Sequence, residues 1–265
     1  MYQRIILVSL FLLLMSACVN VQETTSLADQ LFESKDFAGF NKTIEKLQKG
    51  NKSEYEKYIS GIKEKELFKL SKYDNLTKTN EGIPLLTNIT KNVPALADYS
   101  NAQLKTLTDN KKYLDQMDSS VKNVLNKHVI ITGDLLSKSN TPIILMDTIG
   151  TVGTATKELK ELSLDINTNI IYLESLKVPE QYSIPHKNYI ESIKKYKSQL
   201  DAKFTFVDTN AAEISTYNTF IRKGSFYALN EMDSITREFD KLSIGIKTSV
   251  DDMKQRATSF QQLLK

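Results

Sequence analysis

The chain has 265 residues, of which 40% are hydrophobic, so it is long enough for one large domain or two small ones with a hydrophobic core. Its formal net charge of +3 gives no reason to expect nucleic acid as a partner, and its single cysteine excludes an internal disulfide. Nine glycines, five prolines and no tryptophan, among stretches rich in lysine, glutamate, leucine, isoleucine and asparagine, favour an all-α fold.

The first predicted element is a short apolar run at the amino terminus. A basic residue, Arg4, precedes residues 5–15, in which Ser9 is the only polar side chain. This run is too short for a membrane-spanning helix, which needs about 20 residues, and it has the layout of a secretory signal. We therefore predict that residues 1–17 form a signal peptide that is removed from the mature protein.

The end of this run carries a recognisable processing motif. Its four residues, Met15, Ser16, Ala17 and Cys18, resemble the lipobox of bacterial lipoproteins, which has an apolar residue at −3, small residues at −2 and −1, and cysteine at +1. In that family the cysteine thiol receives a diacylglyceryl group before signal peptidase II cuts on its amino side. The resemblance implies that Cys18 is lipidated and that Met15, Ser16 and Ala17 form the recognition sequence, although methionine replaces the commoner leucine at −3.

An alternative interpretation of the same segment is a signal anchor, or an ordinary secretory signal that leaves a free thiol at Cys18. We favour the lipoprotein interpretation because the motif matches at all four positions and directly follows the apolar run. On that interpretation two acyl chains such as palmitate anchor the protein stably, whereas one chain binds only marginally. The membrane, reached through the lipid on Cys18, is then the first predicted partner.

Residue usage indicates a host and a location. Lysine provides nearly all the basic charge, since arginine occurs only at Arg4, Arg222, Arg237 and Arg256. Abundant lysine, isoleucine and asparagine are typical of AT-rich genomes. We therefore predict a Gram-positive host and a location on the extracytoplasmic face of its cell membrane.

The mature chain is predicted to begin with a lipidated cysteine and a short polar tether over residues 18–25, followed by one helical domain over residues 26–265. The apolar pattern predicts one or two short helices from 26 to 47, with an interruption near Gly39, and another helix from a cap at Ser53 through Tyr73. Pro94 marks either a kink or the start of another helix.

Farther along the chain, apolar residues recur at steps of three, four and seven, which is the spacing of helices that pack like a coiled coil. The clearest such series is Leu107, Leu114, Met117, Val121, Val124 and His128. Similar stripes cover residues 152–176, 186–217 and 226–264, with breaks expected around Gly133 and residues 140–142. Helices of about 40 residues measure roughly 60 Å, so we predict an elongated antiparallel helical bundle with coiled-coil-like packing.

No catalytic constellation stands out in the sequence. The two histidines, His128 and His186, are not in an HExxH arrangement and lie within the apolar stripes. Residues 150–157 combine glycines, hydroxyls and a lysine without the spacing of a phosphate-binding loop, and no serine sits in a nucleophile elbow. We therefore predict a protein that is not an enzyme and that uses neither a cofactor nor a metal.

Tyrosine is the residue type that most invites a binding role, because it combines apolar area with a polar tip. Six tyrosines fall in the carboxy-terminal half: Tyr172, Tyr182, Tyr189, Tyr196, Tyr217 and Tyr227. At helical spacing most are expected in the bundle core, with hydroxyls reaching its edge. The pattern around 179–196 is similar to the helix-opening pattern of uncharacterised helical lipoproteins of Gram-positive bacteria, which implies a helical bundle outside the membrane.

Together these features predict a non-enzymatic module that binds or scaffolds at the cell surface, with an unknown protein or cell-envelope component as its partner. The alternative is a helical lipoprotein that binds a small ligand or metal in a cleft between helices. A pocket that includes His128 or His186 would favour the alternative. An enzyme of the cell envelope ranks third.

Overall fold

A computed structural model describes residues 20–138, 149–214, 216 and 232–265. The predicted signal peptide and Cys18 therefore lie outside the described residues. Throughout the described ranges the regular secondary structure is helical, and no strand occurs in them, which confirms the predicted all-α class.

Nine α-helices can be followed in this part of the chain. They are α1 (Val21–Glu33), α2 (Phe37–Gly50), α3 (Lys52–Lys63), α4 (Leu76–Asn92), α5 (Ala97–Asn123), α6 (Val129–Lys138), α7 (Ile149–Glu174), α8 (Ser183–Thr209) and α9 (Met232–Leu263). A π turn, Val124–His128, separates α5 from α6, and short 3-10 turns occur at Glu66–Phe68, Leu70–Lys72, Pro94–Leu96 and Glu180–Tyr182.

The chain divides into two compact units, Met1–Lys112 and Tyr113–Lys265, with the boundary inside α5. A single domain over residues 26–265 stays a prediction.

The first helix begins earlier than the predicted start at Ser26. Asn20 is its N-cap, and the side-chain oxygen of Asn20 accepts a hydrogen bond from the Glu23 amide at 3.3 Å. A capping side chain satisfies an amide that otherwise lacks an intrahelical partner. The helix consequently covers residues 21–25, most of the segment predicted as a tether.

The junction between α1 and α2 confirms two helices in this region but places the break before Gly39. Lys35 adopts a positive φ of 64°, and the amides of Lys35 and Asp36 donate to the carbonyls of Phe32 and Leu31. These paired bonds form a Schellman motif, which ends the helix. Asp36 then caps α2 by accepting from the Gly39 amide at 2.9 Å, so Gly39 lies in the first turn of a helix.

The core of the first unit is built from α1 to α4 and the start of α5. Its buried members are mostly aromatic and aliphatic: Ala28, Phe32, Phe37, Phe40, Ile44, Ile59, Ile62, Phe68, Tyr73, Leu86, Ile89, Val93, Leu96 and Leu107. Phe32 lies among the rings of Phe37, Phe40 and Phe68, with centroid distances of 5.6, 5.0 and 6.4 Å.

The helix predicted from Ser53 through Tyr73 is wrong in its second half. Helix α3 begins after an Asn51 cap and ends at Lys63, and α4 begins after an Asn75 cap. Between these helices, two 3-10 turns place Phe68 and Tyr73 in the core. The Tyr73 hydroxyl donates to the Leu67 carbonyl at 2.7 Å. Burial of these rings outweighs the local preference for a continuous helix.

Two helical glycines in the first unit give a matched pair for testing this packing. A Cβ at Gly82 would lie 2.5 Å from Tyr73 Cε1 and 2.9 Å from Leu107 Cδ1, whereas a Cβ at Gly61 meets nothing within 4 Å. We expect Gly82→Ala to lower the free energy of unfolding by about 1–3 kcal/mol because of overpacking. Gly61→Ala is expected to raise it by about 0.5–1 kcal/mol, since alanine restricts the unfolded chain.

Denaturant unfolding of both variants, monitored by circular dichroism, measures the difference between their free energies of unfolding. Equal effects of the two substitutions would contradict the close approach of α4 to Tyr73 and Leu107.

In the second unit, successive long helices run in opposite directions. Helix α7 is antiparallel to α5, because Tyr172 bonds to the Gln116 carbonyl while Asp165, earlier in α7, pairs with His128, which follows α5. Helix α8 is antiparallel to α7, because Glu174 pairs with Lys194 while Ser163 bonds to a residue farther along α8, Asp201.

Helix α9 is antiparallel to α8 by the same criterion. The ring of Tyr189, near the start of α8, packs on Phe260 near the end of α9, with a centroid distance of 5.3 Å. Lys203, near the end of α8, contacts Phe239 and Ser243 near the start of α9.

The other predicted helix boundaries have different outcomes. Helix α6 continues through Gly133, so the break predicted there is wrong, and residues 140–142 lie outside the described residues. Pro94 begins a 3-10 turn that leads into α5, which confirms the start of a new helix. Ser183 is the first residue of α8, and Tyr182 occupies the N-cap position without a side-chain capping bond.

Candidate functional site: the buried polar core of the second unit

The buried face of α8 and the turn before it carry five large polar side chains at helical spacing. We call these residues the polar stripe: Tyr182, His186, Tyr189, Tyr196 and Lys203. All five are buried. Because a buried polar group is costly unless it is hydrogen-bonded, the partners of the stripe define the chemistry of this core.

At the start of α8, His186 forms a fully paired cluster. Its Nε2 donates to the Leu173 carbonyl at 3.2 Å, so its Nδ1 accepts from the Tyr113 hydroxyl at 3.0 Å. The Tyr113 ring stacks on Tyr182, with centroids 5.2 Å apart. Burial lowers the pKa of His186, although its bond to the Leu173 carbonyl opposes that effect. The neutral imidazole at the start of α8 therefore connects α5 to the end of α7.

Tyr189, the next residue of the polar stripe, lies near polar groups that are less well hydrogen-bonded. The Tyr189 hydroxyl donates to the Ser120 carbonyl at 3.5 Å, which is a long bond, and burial raises the pKa of Tyr189. The Ser120 hydroxyl and the Asn169 side-chain nitrogen are buried and have no hydrogen-bond partner among the described residues. Polar groups in this state are uncommon in folded proteins.

The third group of contacts centres on a histidine that is hydrogen-bonded to a carboxylate. His128 is 0% exposed, and its Nε2 lies 2.8 Å from Asp165 Oδ2. The same carboxylate oxygen accepts from Lys127 Nζ at 3.0 Å and from Asn123 Nδ2 at 3.5 Å. Asp165 on α7 thereby gathers three donors from the end of α5 and the π turn.

The ring of Tyr196 packs against the ring of His128. The two rings meet edge to face, with centroids 6.0 Å apart, and the Tyr196 hydroxyl hydrogen-bonds with Thr132 on α6. Burial raises the pKa of Tyr196 to about 12, so the phenol is neutral at physiological pH. The remaining histidine nitrogen, His128 Nδ1, is buried and has no hydrogen-bond partner among the described residues.

The protonation states in this cluster follow from competing effects. Burial lowers the pKa of His128 and outweighs the hydrogen bond and charge of Asp165, which raise it. Burial alone would raise the pKa of Asp165, but hydrogen bonds and positive charge from Lys127 and His128 outweigh it, so that pKa is lowered. The favoured state is a neutral His128 with its proton on Nε2, facing a charged Asp165.

The last member of the stripe is a buried lysine. Lys203 Nζ lies 4.1 Å from the centroid of the Phe239 ring and donates to Ser243 Oγ at 2.9 Å. Burial lowers the pKa of Lys203 to about 8, although the charge of Asp240 acts in the opposite direction. A cation over an aromatic face is attracted by the ring quadrupole, which compensates part of the desolvation.

Among these residues, His128 has the arrangement that most resembles a catalytic group. His128 presents an unprotonated nitrogen, and its other nitrogen is oriented by a carboxylate, which is the arrangement of a general base. Its complete burial, however, separates it from molecules in solution.

The residues predicted from the lipobox, Met15, Ser16, Ala17 and Cys18, lie outside the described residues. Both histidines of the apolar stripes are buried, His128 inside the π turn and His186 near the start of α8.

The six tyrosines of the carboxy-terminal half lie in different environments. Tyr182, Tyr189 and Tyr196 are buried, and the hydroxyls of Tyr189 and Tyr196 bond to groups in the core, so the expectation that hydroxyls reach the edge is wrong for that pair. Tyr172 is exposed, whereas Tyr217 and Tyr227 lie outside the described residues.

Two members of the polar core were missed from the sequence, Asp165 and Lys203. Lys203 lies seven residues after Tyr196, so its place on the stripe carried a usable signal that its charge obscured. Asp165 is next to the buried Ile166 and only partly exposed, and nothing local distinguishes it from a solvated carboxylate.

Within the described ranges, no three His, Cys, Asp or Glu side chains come together in a group that could bind a metal ion. None of the helices in that part of the chain combines the length and apolar content that crossing a bilayer requires.

The chain matches no protein-family model, and neither a curated protein nor a solved structure is significantly similar to it.

Proposed function

We propose that the protein is a bacterial lipoprotein, anchored through Cys18 to the extracytoplasmic face of a Gram-positive cell membrane, and that it acts there as a non-enzymatic binding or scaffolding module. The observation that carries this proposal is the order of features at the amino terminus. A basic residue, a short apolar run and Met15-Ser16-Ala17-Cys18 follow one another directly. That order matches the needs of export, signal cleavage and lipidation.

The start of the first helix supports a close attachment. Helix α1 begins at Val21, after the Asn20 cap, so only two residues separate it from Cys18. An extended chain spans at most about 3.5 Å per residue, which places the start of α1 within roughly 10 Å of the lipidated residue. On this proposal the first unit lies next to the membrane surface.

We also propose that the long helices of the second unit form an antiparallel bundle with coiled-coil-like packing. The opposite directions of α5, α7, α8 and α9 support it, as does burial of Met117, Val121 and Val124, which follow steps of four and three. The elongated form predicted from the helix lengths stays a prediction.

A binding or scaffolding role is supported by the exposed side of α7. Leu164 and Ile171 are 62% and 61% exposed at a spacing of seven residues, and Tyr172 is exposed beside Ile171. Large apolar side chains that recur on one side of a helix are typical of surfaces that contact a partner.

The unpaired polar groups of the core favour a second candidate function, the binding of a small ligand between helices. Ser120 Oγ, Asn169 Nδ2 and His128 Nδ1 are buried without a partner among the described residues. Native mass spectrometry of the purified chain, together with elemental analysis for metals, tests this candidate. A stoichiometric bound molecule or metal would favour it over the binding module.

Replacing Cys18 tests the anchor directly. We expect the wild-type protein, expressed in a Gram-positive host, to fractionate with membranes and to have the mass of a lipidated chain beginning at Cys18. Cys18→Ala is expected to be unprocessed or released, because no thiol remains to accept the lipid. The measurement is intact mass combined with membrane fractionation.

Ser16→Ala is the matched control, because it keeps a small residue at −2 and is expected to be processed like the wild type. If the wild type and Cys18→Ala fractionate alike and the wild-type thiol is free, the lipoprotein proposal is wrong.

A further inference from the structure

The π turn Val124–His128 is an irregular point in an otherwise continuous helical stretch. The Val129 amide donates to the Val124 carbonyl, five residues back, in place of the usual four. A π turn has less favourable backbone packing than an α-helix, and such turns occur frequently at functional sites. Its persistence here requires stabilising contacts from side chains.

Those contacts come from His128 and Lys127, the last two residues of the turn. Both bond to Asp165 Oδ2 on α7, at 2.8 and 3.0 Å. The His128 ring also packs edge-on against Tyr196 on α8. The side chains of the turn therefore connect it to two neighbouring helices.

These contacts fix the proton position on His128. Because Nε2 faces a carboxylate, the neutral ring carries its proton there, and Nδ1 is an unprotonated acceptor in the core. A second proton on Nδ1 creates a buried N–H donor with no acceptor among the described residues. An unsatisfied buried donor of this kind is strongly unfavourable.

The other charged groups that the structure describes around His128 do not remove this cost. Asp165 attracts an imidazolium, but the same carboxylate oxygen already pairs with Lys127, whose charge opposes protonation. Tyr196, from α8, is neutral. Helix α9 also packs against the turn, and its buried residues between positions 240 and 259 carry no titratable group.

We propose that the π turn Val124–His128 is an acid-sensitive element, which opens locally when His128 binds a second proton at Nδ1. At neutral pH the neutral imidazole connects the turn to α7 and α8. In acid the imidazolium gains solvation only by leaving the core, and the turn opens with it. This inference does not depend on the lipid anchor. If the protein is exported as proposed above, the turn experiences the pH outside the cell.

Amide hydrogen exchange on the full chain tests the proposal at about pH 7.5 and about pH 5, on either side of the usual histidine pKa of about 6.5. After correction for the intrinsic pH dependence of exchange, we expect protection of peptides covering Val124–His128 and α6 to fall in acid. Linkage gives a loss of up to about tenfold per pH unit below 6.5. Peptides from α2 and α3, in the first unit, are the internal reference.

Two matched variants show which histidine causes the loss of protection in acid. His128→Gln keeps a donor near the position of Nε2 but cannot titrate, so protection of the turn is expected to be independent of pH in that variant. His186→Gln removes the other buried histidine and is expected to leave the acid response of the turn unchanged. If His128→Gln keeps the wild-type response, or His186→Gln abolishes it, the proposal is wrong.

A titration of the wild-type protein by NMR covers the case in which His128→Gln fails to fold. Comparison with the spectrum of His186→Gln identifies the His128 ring signals. We expect them to titrate below the usual histidine range, with the loss of protection in the turn following the same midpoint. Titration of His128 without any change in protection would overturn the proposal.

Discussion

Phe32→Ala is expected to lower the free energy of unfolding of the first unit by about 3–5 kcal/mol, the range observed when a buried aromatic ring is removed. Phe32 is buried, and its ring contacts those of Phe37, Phe40 and Phe68. Lys65 Nζ also lies 5.4 Å from the Phe32 ring centroid. Alanine leaves a cavity among the three remaining rings, which are held by α2 and a 3-10 turn and cannot all close over it.

The effect is measured by urea unfolding of the full chain, with amide exchange used to locate the loss in α1 and α2. Leu27→Ala is the matched control on the same helix, because Leu27 is 49% exposed. We expect the control to change stability by less than about 0.5 kcal/mol. A cost for Phe32→Ala no larger than that of Leu27→Ala would show that the four rings do not form the core of this unit.

The second large effect concerns the buried lysine and depends on pH. Lys203 has a pKa lowered from 10.5 to about 8 in the folded state. Between these values the unfolded chain binds a proton that the folded chain does not, so stability rises with pH over this window. Over the whole window, the free energy of unfolding is expected to rise by about 3 kcal/mol. Below pH 8 there is no such rise, because Lys203 is protonated in both the folded and the unfolded chain.

Ionisation of tyrosines is expected to end the rise in stability at high pH. Burial raises the pKa values of Tyr113, Tyr189 and Tyr196 in the folded state. Above about pH 10 the unfolded chain loses phenolic protons that the folded chain retains, which lowers stability. We therefore expect the stability of the second unit to rise from pH 8 and to fall again above about pH 10.

Lys203→Met identifies the source of the rise. This variant is expected to show no increase from pH 8 and to be more stable than the wild type at pH 7, by about 1 kcal/mol or more, because methionine has no charge to desolvate. Urea unfolding at several pH values, with exchange of α8 peptides, provides the measurement. Lys195→Met, on the exposed side of α8, is the control and is expected to keep the wild-type pH profile. A rise that survives in Lys203→Met would assign the effect to other groups.

The two pH effects are separable because their windows do not overlap. The acid response of His128 occurs below about pH 6.5, whereas that of Lys203 occurs above pH 8. Between these windows neither group changes its protonation, and the stability of the second unit is expected to be nearly constant.

Much of the helical architecture was predictable because helix periodicity is a local property. The three-and-four spacing of Met117, Val121 and Val124 placed all three on one side of a helix, and all three are buried. The scarcity of glycine and proline predicted the all-α class for the same reason. Pro94 marked the start of a helix because its backbone favours a first-turn position.

Helix ends were less predictable, because each is decided by competition between local preference and packing. Gly39 and Gly133 lie inside helices, and the break near Gly39 instead occurs at Lys35, in a conformation that favours glycine. The apolar stripe through Tyr73 suggested one helix, but burying Phe68 and Tyr73 in the first unit required two short turns.

By itself, the sequence determined the helical class, most of the apolar core and the motif that predicts an anchor at Cys18, since each depends on residues close together in the chain. Only the tertiary structure decided the chemistry of the polar core. His128 and Asp165 are 37 residues apart in sequence, and Tyr196 comes from a third helix. Whether a polar side chain is a solvated surface group or a buried partner depends on which helices meet around it, and that is set by the packing of the whole unit.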